Sequence, residues 1–126
     1  VEDWRGVMDA NATSTFVACT VVGRRMAARG AGRIVNLVAL VHEQGVAGGA
    51  LFEASQAAVL GLTRALSADW TVPAINALGL AFYDGGVPEA DHVAGVQGAL
   101  VELASDSSDA HGELLIADEA HPGHTH

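Results

Sequence analysis

Lysine is absent from this chain, whose six basic residues are all arginines. Schiff-base chemistry, a P-loop ammonium and lysine-assisted proton relays are therefore excluded. Cysteine occurs once, at Cys19, so no intramolecular disulfide can form and a reducing cytoplasm is the expected setting. Nothing at the N-terminus has the pattern of a signal peptide. Long apolar runs are missing too, since Thr13–Val22 is too short to cross a bilayer and carries Thr and Ser. Basic charge is scarce. Residues 1–64 balance six arginines against five acids, whereas residues 65–126 hold ten acids and no base. The net charge of −9 argues against nucleic acid, which demands a basic face. An acidic half reads first as a solvated surface, and second as a screen that selects a basic partner.

What is present fits one domain. The chain has 126 residues, half of them hydrophobic and 17% charged, a globular composition. Residues 3–29 read as one long helix, with Val7, Met8, Phe16, Val17, Val21 and Met26 at helical spacings and Gly30-Ala31-Gly32 as the stop. Residues 33–41 (RIVNLVALV) are a continuous apolar, β-branched run, the pattern of a strand buried on both faces of a parallel sheet. The glycine-rich stretch Gly45–Ala50 leads to a second helix over 51–70, with Val59, Leu60, Leu62 and Leu66 as its apolar stripe. Pro73 ends it, and 74–80 is a second strand. A third helix over 88–105 and a third strand over 113–117 complete the series. Alternating helices and strands predict an α/β fold with a parallel sheet of about three strands and right-handed crossovers. Residues 1–118 form the expected domain, and 119–126 a flexible tail containing histidines.

Several segments resemble the short-chain dehydrogenase/reductase family. Asp3-Trp4-Arg5-Gly6-Val7-Met8-Asp9-Ala10-Asn11 is similar to its D-W-x-x-V-M-x-V-N helix, and Gly32-Arg33-Ile34-Val35-Asn36 to its G-R-I-V-N strand. The run from Ala54 to Leu66 resembles Y-x-A-S-K-A-A-V-x-G-L-T-R-x-L, entered at its A-S. Ile75-Asn76-Ala77-Leu78 and Leu103-Ala104-Ser105-Asp106 follow in the family's order. The resemblance covers about 110 residues and implies a Rossmann-like, three-layer fold.

The departures fall on chemistry. The family works with Ser, Tyr and Lys, of which Tyr delivers the proton, Lys lowers its pKa and holds the ribose, and Ser orients the substrate oxygen. The corresponding positions here are Ala39, Phe52 and Gln56, which carry no hydroxyl, no ionisable proton and no charge. Asn11 matches the family's helix-bending Asn. The resemblance also implies a preceding strand, glycine turn and helix for the cofactor pyrophosphate, which residues 1–126 do not contain. The family's P-G after the second strand is replaced by Leu80-Ala81, and a tight turn stands between Tyr83 and Pro88 where relatives carry a lid. The expectation is therefore a truncated C-terminal half of the fold, with neither a nicotinamide cofactor nor a metal of its own.

Truncation leaves the strand 33–41 without its neighbour, and an open apolar edge invites pairing. Helices 3–29 and 51–70 match the family's four-helix dimer interface. A homo-oligomer through those helices or through the edge of strand 33–41 is expected, with a partner dehydrogenase as a further candidate and no nucleic acid or membrane.

Other chemistry sits at the strand ends. His42, followed by Glu43, stands just past the first strand, where α/β sheets place ligands, and is a candidate base. Tyr83 follows the second strand and is a candidate phenol, while Asn11 would orient a substrate. His121, His124 and His126 resemble an adventitious chelator, without the carboxylate or Cys that would complete a rigid metal set. The catalytic candidates are therefore Asn11, His42 and Tyr83. The reading that follows is a catalytically degenerate, oligomeric binding or partner subunit. Its alternative is a cofactor-independent cyclase, dehydratase, isomerase or aldol-type enzyme, holding a small apolar ligand against Phe52, Leu80 and Phe82.

Overall fold

The computed structural model describes residues 1–41, 49–82, 90–105, 108–117 and 124–125. The N-terminal helical stretch is three pieces where the sequence predicts one: α1 (Glu2–Met8), a π-helical turn (Asp9–Thr13) and α2 (Ser14–Arg29). Apolar spacing does not distinguish an i→i+5 turn from an α turn, so the break carried no local signal. Gly30 ends α2 in the left-handed region at φ 76°. Its N–H donates to Ala27 O and that of Ala31 to Met26 O, the paired bonds of a glycine-terminated helix.

β1 spans Arg33–Val41, as expected. α3 spans Ala50–Asp69, β2 Ala74–Phe82, α4 Ala90–Ala104 and β3 Leu114–Ala117. β2 runs two residues beyond the predicted end because its whole length pairs with β1, from Arg33 with Ala74 to Val41 with Phe82. β3 is parallel to β2, and a two-residue β4, His124–Thr125, lies antiparallel on β3. The sheet order is β1-β2-β3-β4, four strands where three are predicted.

Alternation along β2 divides the core into two layers. Ile75 and Ala77 face α3, packing with Leu66 and Cys19 in one cluster and with Val38, Val59 and Leu114 in another. Leu78 faces the opposite side and packs with Ala99 and Leu103 of α4. The helices thus cover both faces of a parallel sheet, the three-layer α/β arrangement that the residue pattern implies. α2 lies on the same face as α3, its Cys19 packing with Leu66 and Ile75. Gly23 of α2 is buried against the Trp70 ring, where a Cβ would collide with it.

Polar groups tie the 108–113 segment to the sheet. Asn76, 1% exposed, donates through Nδ2 to Ala110 O and accepts the Glu113 N–H at Oδ1. His111 accepts the Ile75 N–H at Nδ1, at 3.3 Å. Its Nε2 lies 2.6 Å from Ser67 O and 2.9 Å from Trp70 O at the end of α3. These bonds satisfy carbonyls that a helix C-terminus leaves without partners.

Candidate functional site

The first half of α3, the end of β1 and the π-helical turn converge on a small polar cluster. Asn11 lies within the π turn, which widens the helix by one residue, and its Nδ2 donates to Ser55 Oγ at 2.9 Å. Ser55 is fully buried, and its hydroxyl donates to Phe52 O one turn earlier at 2.7 Å. Gln56, the next residue, reaches the opposite way: its Oε1 accepts the Ala39 N–H at 2.8 Å. Phe52 stands 43% exposed beside these groups, an apolar wall next to a polar floor.

The structure therefore brings together four of the positions singled out in the sequence. Asn11, Ala39, Phe52 and Gln56 come from three elements and meet through Ser55 and the backbone. Ser55 itself was not among the expected site residues. Its signal was present, since a serine in the middle of an apolar helix face requires a partner. His42 and Tyr83 lie outside the described residues, as do His121 and His126. Among the described residues no group of three or more His, Cys, Asp or Glu is placed to hold a metal.

A second polar chain lies deeper, between α2, β1 and α3. Asn36 donates through Nδ2 to Thr63 Oγ1 at 2.9 Å, and Thr63 donates to Val59 O at 2.8 Å. Cys19 Sγ donates to Asn36 Oδ1 at 3.6 Å. Burial pushes the Cys19 thiol above its ordinary pKa, opposed by the hydrogen bond to Asn36. Elsewhere the hydroxyls of α2 serve the helix: Thr15 bonds Asn11 O and Thr20 bonds Phe16 O, as expected of threonines in a helix interior.

Comparison with known proteins supplies the context. Residues 1–83 match the family model described as short chain dehydrogenase. The 2-dehydro-3-deoxy-D-gluconate 5-dehydrogenase of Bacillus subtilis is 35% identical over 75 residues, 60% of this chain and 30% of that protein. The L-tagatose-forming galactitol 2-dehydrogenase of Cereibacter sphaeroides is 45% identical over 71 residues, 53% of this chain and 27% of that protein. Among solved structures, a gluconate 5-dehydrogenase from Burkholderia cenocepacia J2315, in complex with NADP and tartrate, superposes with a TM-score of 0.80 at 27% identity. That match covers 94% of this chain and 56% of the relative. The chain thus spans less than a third of these two curated relatives.

These findings correct the expectation of a catalytically degenerate binding or partner subunit, together with its cofactor-independent alternative. All three of these relatives are dehydrogenases, and the solved one holds NADP. The expectation rested on Ala39, Phe52 and Gln56, three side chains that bear on one proton transfer. The backbone match extends over 94% of the chain. No described helix is long and apolar enough to cross a membrane.

Proposed function

Because this chain belongs to the short-chain dehydrogenase family, we propose that it takes part in nicotinamide-linked oxidoreduction of a small polyhydroxylated substrate, a polyol or sugar acid. One observation carries the reading: superposition at TM-score 0.80, over 94% of the chain, on a gluconate 5-dehydrogenase in complex with NADP and tartrate. The sugar-acid and polyol dehydrogenases among the sequence relatives support the same substrate class.

The residues at the cluster divide the work. Asn11 and Ser55 fix the mouth of α3 against the π turn, and Gln56 fixes the end of β1 at Ala39. Phe52 presents an apolar face to a substrate and keeps water from it. Phe52 bears no ionisable proton, so the proton exchanged with the substrate oxygen passes through another group. Tyr83 and His42 are our candidates, since each directly follows one member of the register pair Val41 and Phe82. Bound nicotinamide would supply hydride chemistry. Asn11 Nδ2, the Ser55 hydroxyl and Gln56 Oε1 are each engaged in a hydrogen bond, and none of the positions Asn11, Ala39, Phe52 and Gln56 carries a cation for a phosphate. The described cluster therefore does not fit the whole dinucleotide, and no step is derived through it.

We further propose that the chain self-associates through its helical face, supported by the exposure of Trp4, Phe16, Val17 and Val21. The activity is tested by following nicotinamide absorbance with gluconate, galactitol and related polyols, with either coenzyme, on the purified protein. Turnover that Tyr83→Phe or His42→Ala reduces at least tenfold supports the reading. Absence of turnover across that substrate class overturns it.

A further inference from the structure

A cleft of about 420 Å³ opens at the end of the sheet where β1 and β2 begin. It lies about 20 Å along β1 from Ala39, at about 3.3 Å per strand residue. Arg33 opens β1, Ala74 opens β2, and the two are register partners. Ile34 packs on the α2 and α3 side of the sheet and Val35 on the α4 side, so alternation turns Arg33 to the α4 side. Ala74 precedes Ile75 and turns the same way. It carries only a methyl group, which leaves room between Arg33 and the segment 108–111.

The end of α3 and the turn after it form the other wall. Several polar groups there are already engaged. Ser67 Oγ donates to Arg64 O, Ser108 Oγ accepts the Ala110 N–H, and both ring nitrogens of His111 are bonded. Thr71 and Asp109 differ: among the described residues, neither side chain makes a hydrogen bond or an ion pair. The last carbonyls of α3, a helix of 20 residues, carry partial negative charge. His111 holds the segment bearing Asp109 against them, so the cleft has one negative side. Arg33 supplies the positive one. It already has a partner within the protein, and its fork of five N–H donors can take a carboxylate as well.

We infer that this cleft binds a free α-amino acid with an aliphatic side chain. Its ammonium group meets Asp109 and the carbonyl end of α3, and its carboxylate meets Arg33 and the Thr71 hydroxyl. Its side chain lies against Ala68, Ala74 and Ala110, the small apolar part of the lining. A ligand with one charge alone would strip water from the opposite group of the cleft without pairing it, which costs affinity. The volume falls within the range of small-molecule sites, about 300–1,000 Å³. No residue of the cleft belongs to the cluster around Asn11 and Ser55, so the inference is independent of the oxidoreductase reading.

The experiment is equilibrium dialysis of the full chain against radiolabelled L-leucine. Two competitors each lack one of its charges: 4-methylpentanoate has no ammonium, and 3-methylbutylamine has no carboxylate. Leucine is expected to bind saturably, and each competitor to displace it only at a concentration at least tenfold higher than unlabelled leucine needs. Asp109→Asn changes an exposed side chain that holds nothing else in place, and should weaken leucine binding at least tenfold. Ala74→Leu, which fills the gap beside Arg33, should abolish it in protein shown by circular dichroism to be folded. Should that variant not fold, Asp109→Asn decides alone. No saturable binding at millimolar leucine overturns the inference. So does displacement by either competitor at leucine's own concentration, or unchanged affinity in Asp109→Asn, which would put the amino acid elsewhere on the molecule.

Discussion

The side-chain oxygen of Gln56 accepts the backbone N–H of Ala39 at 2.8 Å, joining the second turn of α3 to the end of β1. Both residues stand at positions where the family resemblance implies different chemistry, and here they are partners. An amide at position 56 can accept this bond, whereas an ammonium, which has donors alone, cannot.

Gln56→Leu should therefore destabilise the fold by about 1 kcal/mol, the net worth of a partly buried hydrogen bond. Gln56→Lys should cost a similar amount, for want of an acceptor. Gln56→Glu, which keeps one, should cost less near neutral pH. Urea denaturation of the three variants checks the order.

Thr63→Val should be costlier than Thr63→Ser. Thr63 is fully buried and accepts the Asn36 amide, so valine keeps the shape and leaves a buried donor unpaired. The expected loss is about 1–3 kcal/mol, while serine retains the hydroxyl and gives up a methyl. Thermal unfolding of both variants separates the polar contribution from packing.

Gly23→Ala should destabilise by about 1–3 kcal/mol through overpacking. The new Cβ would meet the Trp70 ring, which must shift away from α2. Trp70 emission should move to longer wavelength. Gly61→Ala in α3, where nothing lies within 4 Å of the added carbon, should stabilise slightly and leave the spectrum unchanged.

Cys19 should alkylate more slowly than a free thiol at neutral pH. Burial raises its pKa above the ordinary value of 9.0, so the thiolate fraction at any given pH is smaller. The rate should climb as pH rises beyond 9.0 and should not level off there. Asn36→Leu removes the hydrogen bond that lowers the pKa and should slow the reaction at neutral pH further. A rate–pH series on protein verified as folded at each pH measures both effects.

The order of elements was legible from punctuation and period. Gly30-Ala31-Gly32 and Pro73 bracket segments whose apolar spacing changes from helical to continuous. Residues 33–41 formed the predicted strand, but only one face is fully covered, since Val38 is buried while Leu37 beside it is 52% exposed. The positions of Asn11, Ala39, Phe52 and Gln56 were legible as well, through the motifs around them. Their meaning was not. Three missing functional groups suggested an abandoned activity, and the match of nearly the whole chain to an NADP-bound dehydrogenase redirected that conclusion.

Local chemistry thus determined this protein's helices, strands and turn points, because propensity and periodicity act over a few residues. Tertiary structure decided which groups meet. The Asn11–Ser55 bond spans 44 residues, Asn36–Thr63 27 and Ala39–Gln56 17, separations over which no sequence pattern specifies a partner. It also decided that residues of α2 and β1 line one cavity of about 230 Å³, a relation between elements that packing alone fixes. A buried polar group must find its partner wherever the fold places one, and that placement belongs to the chain as a whole.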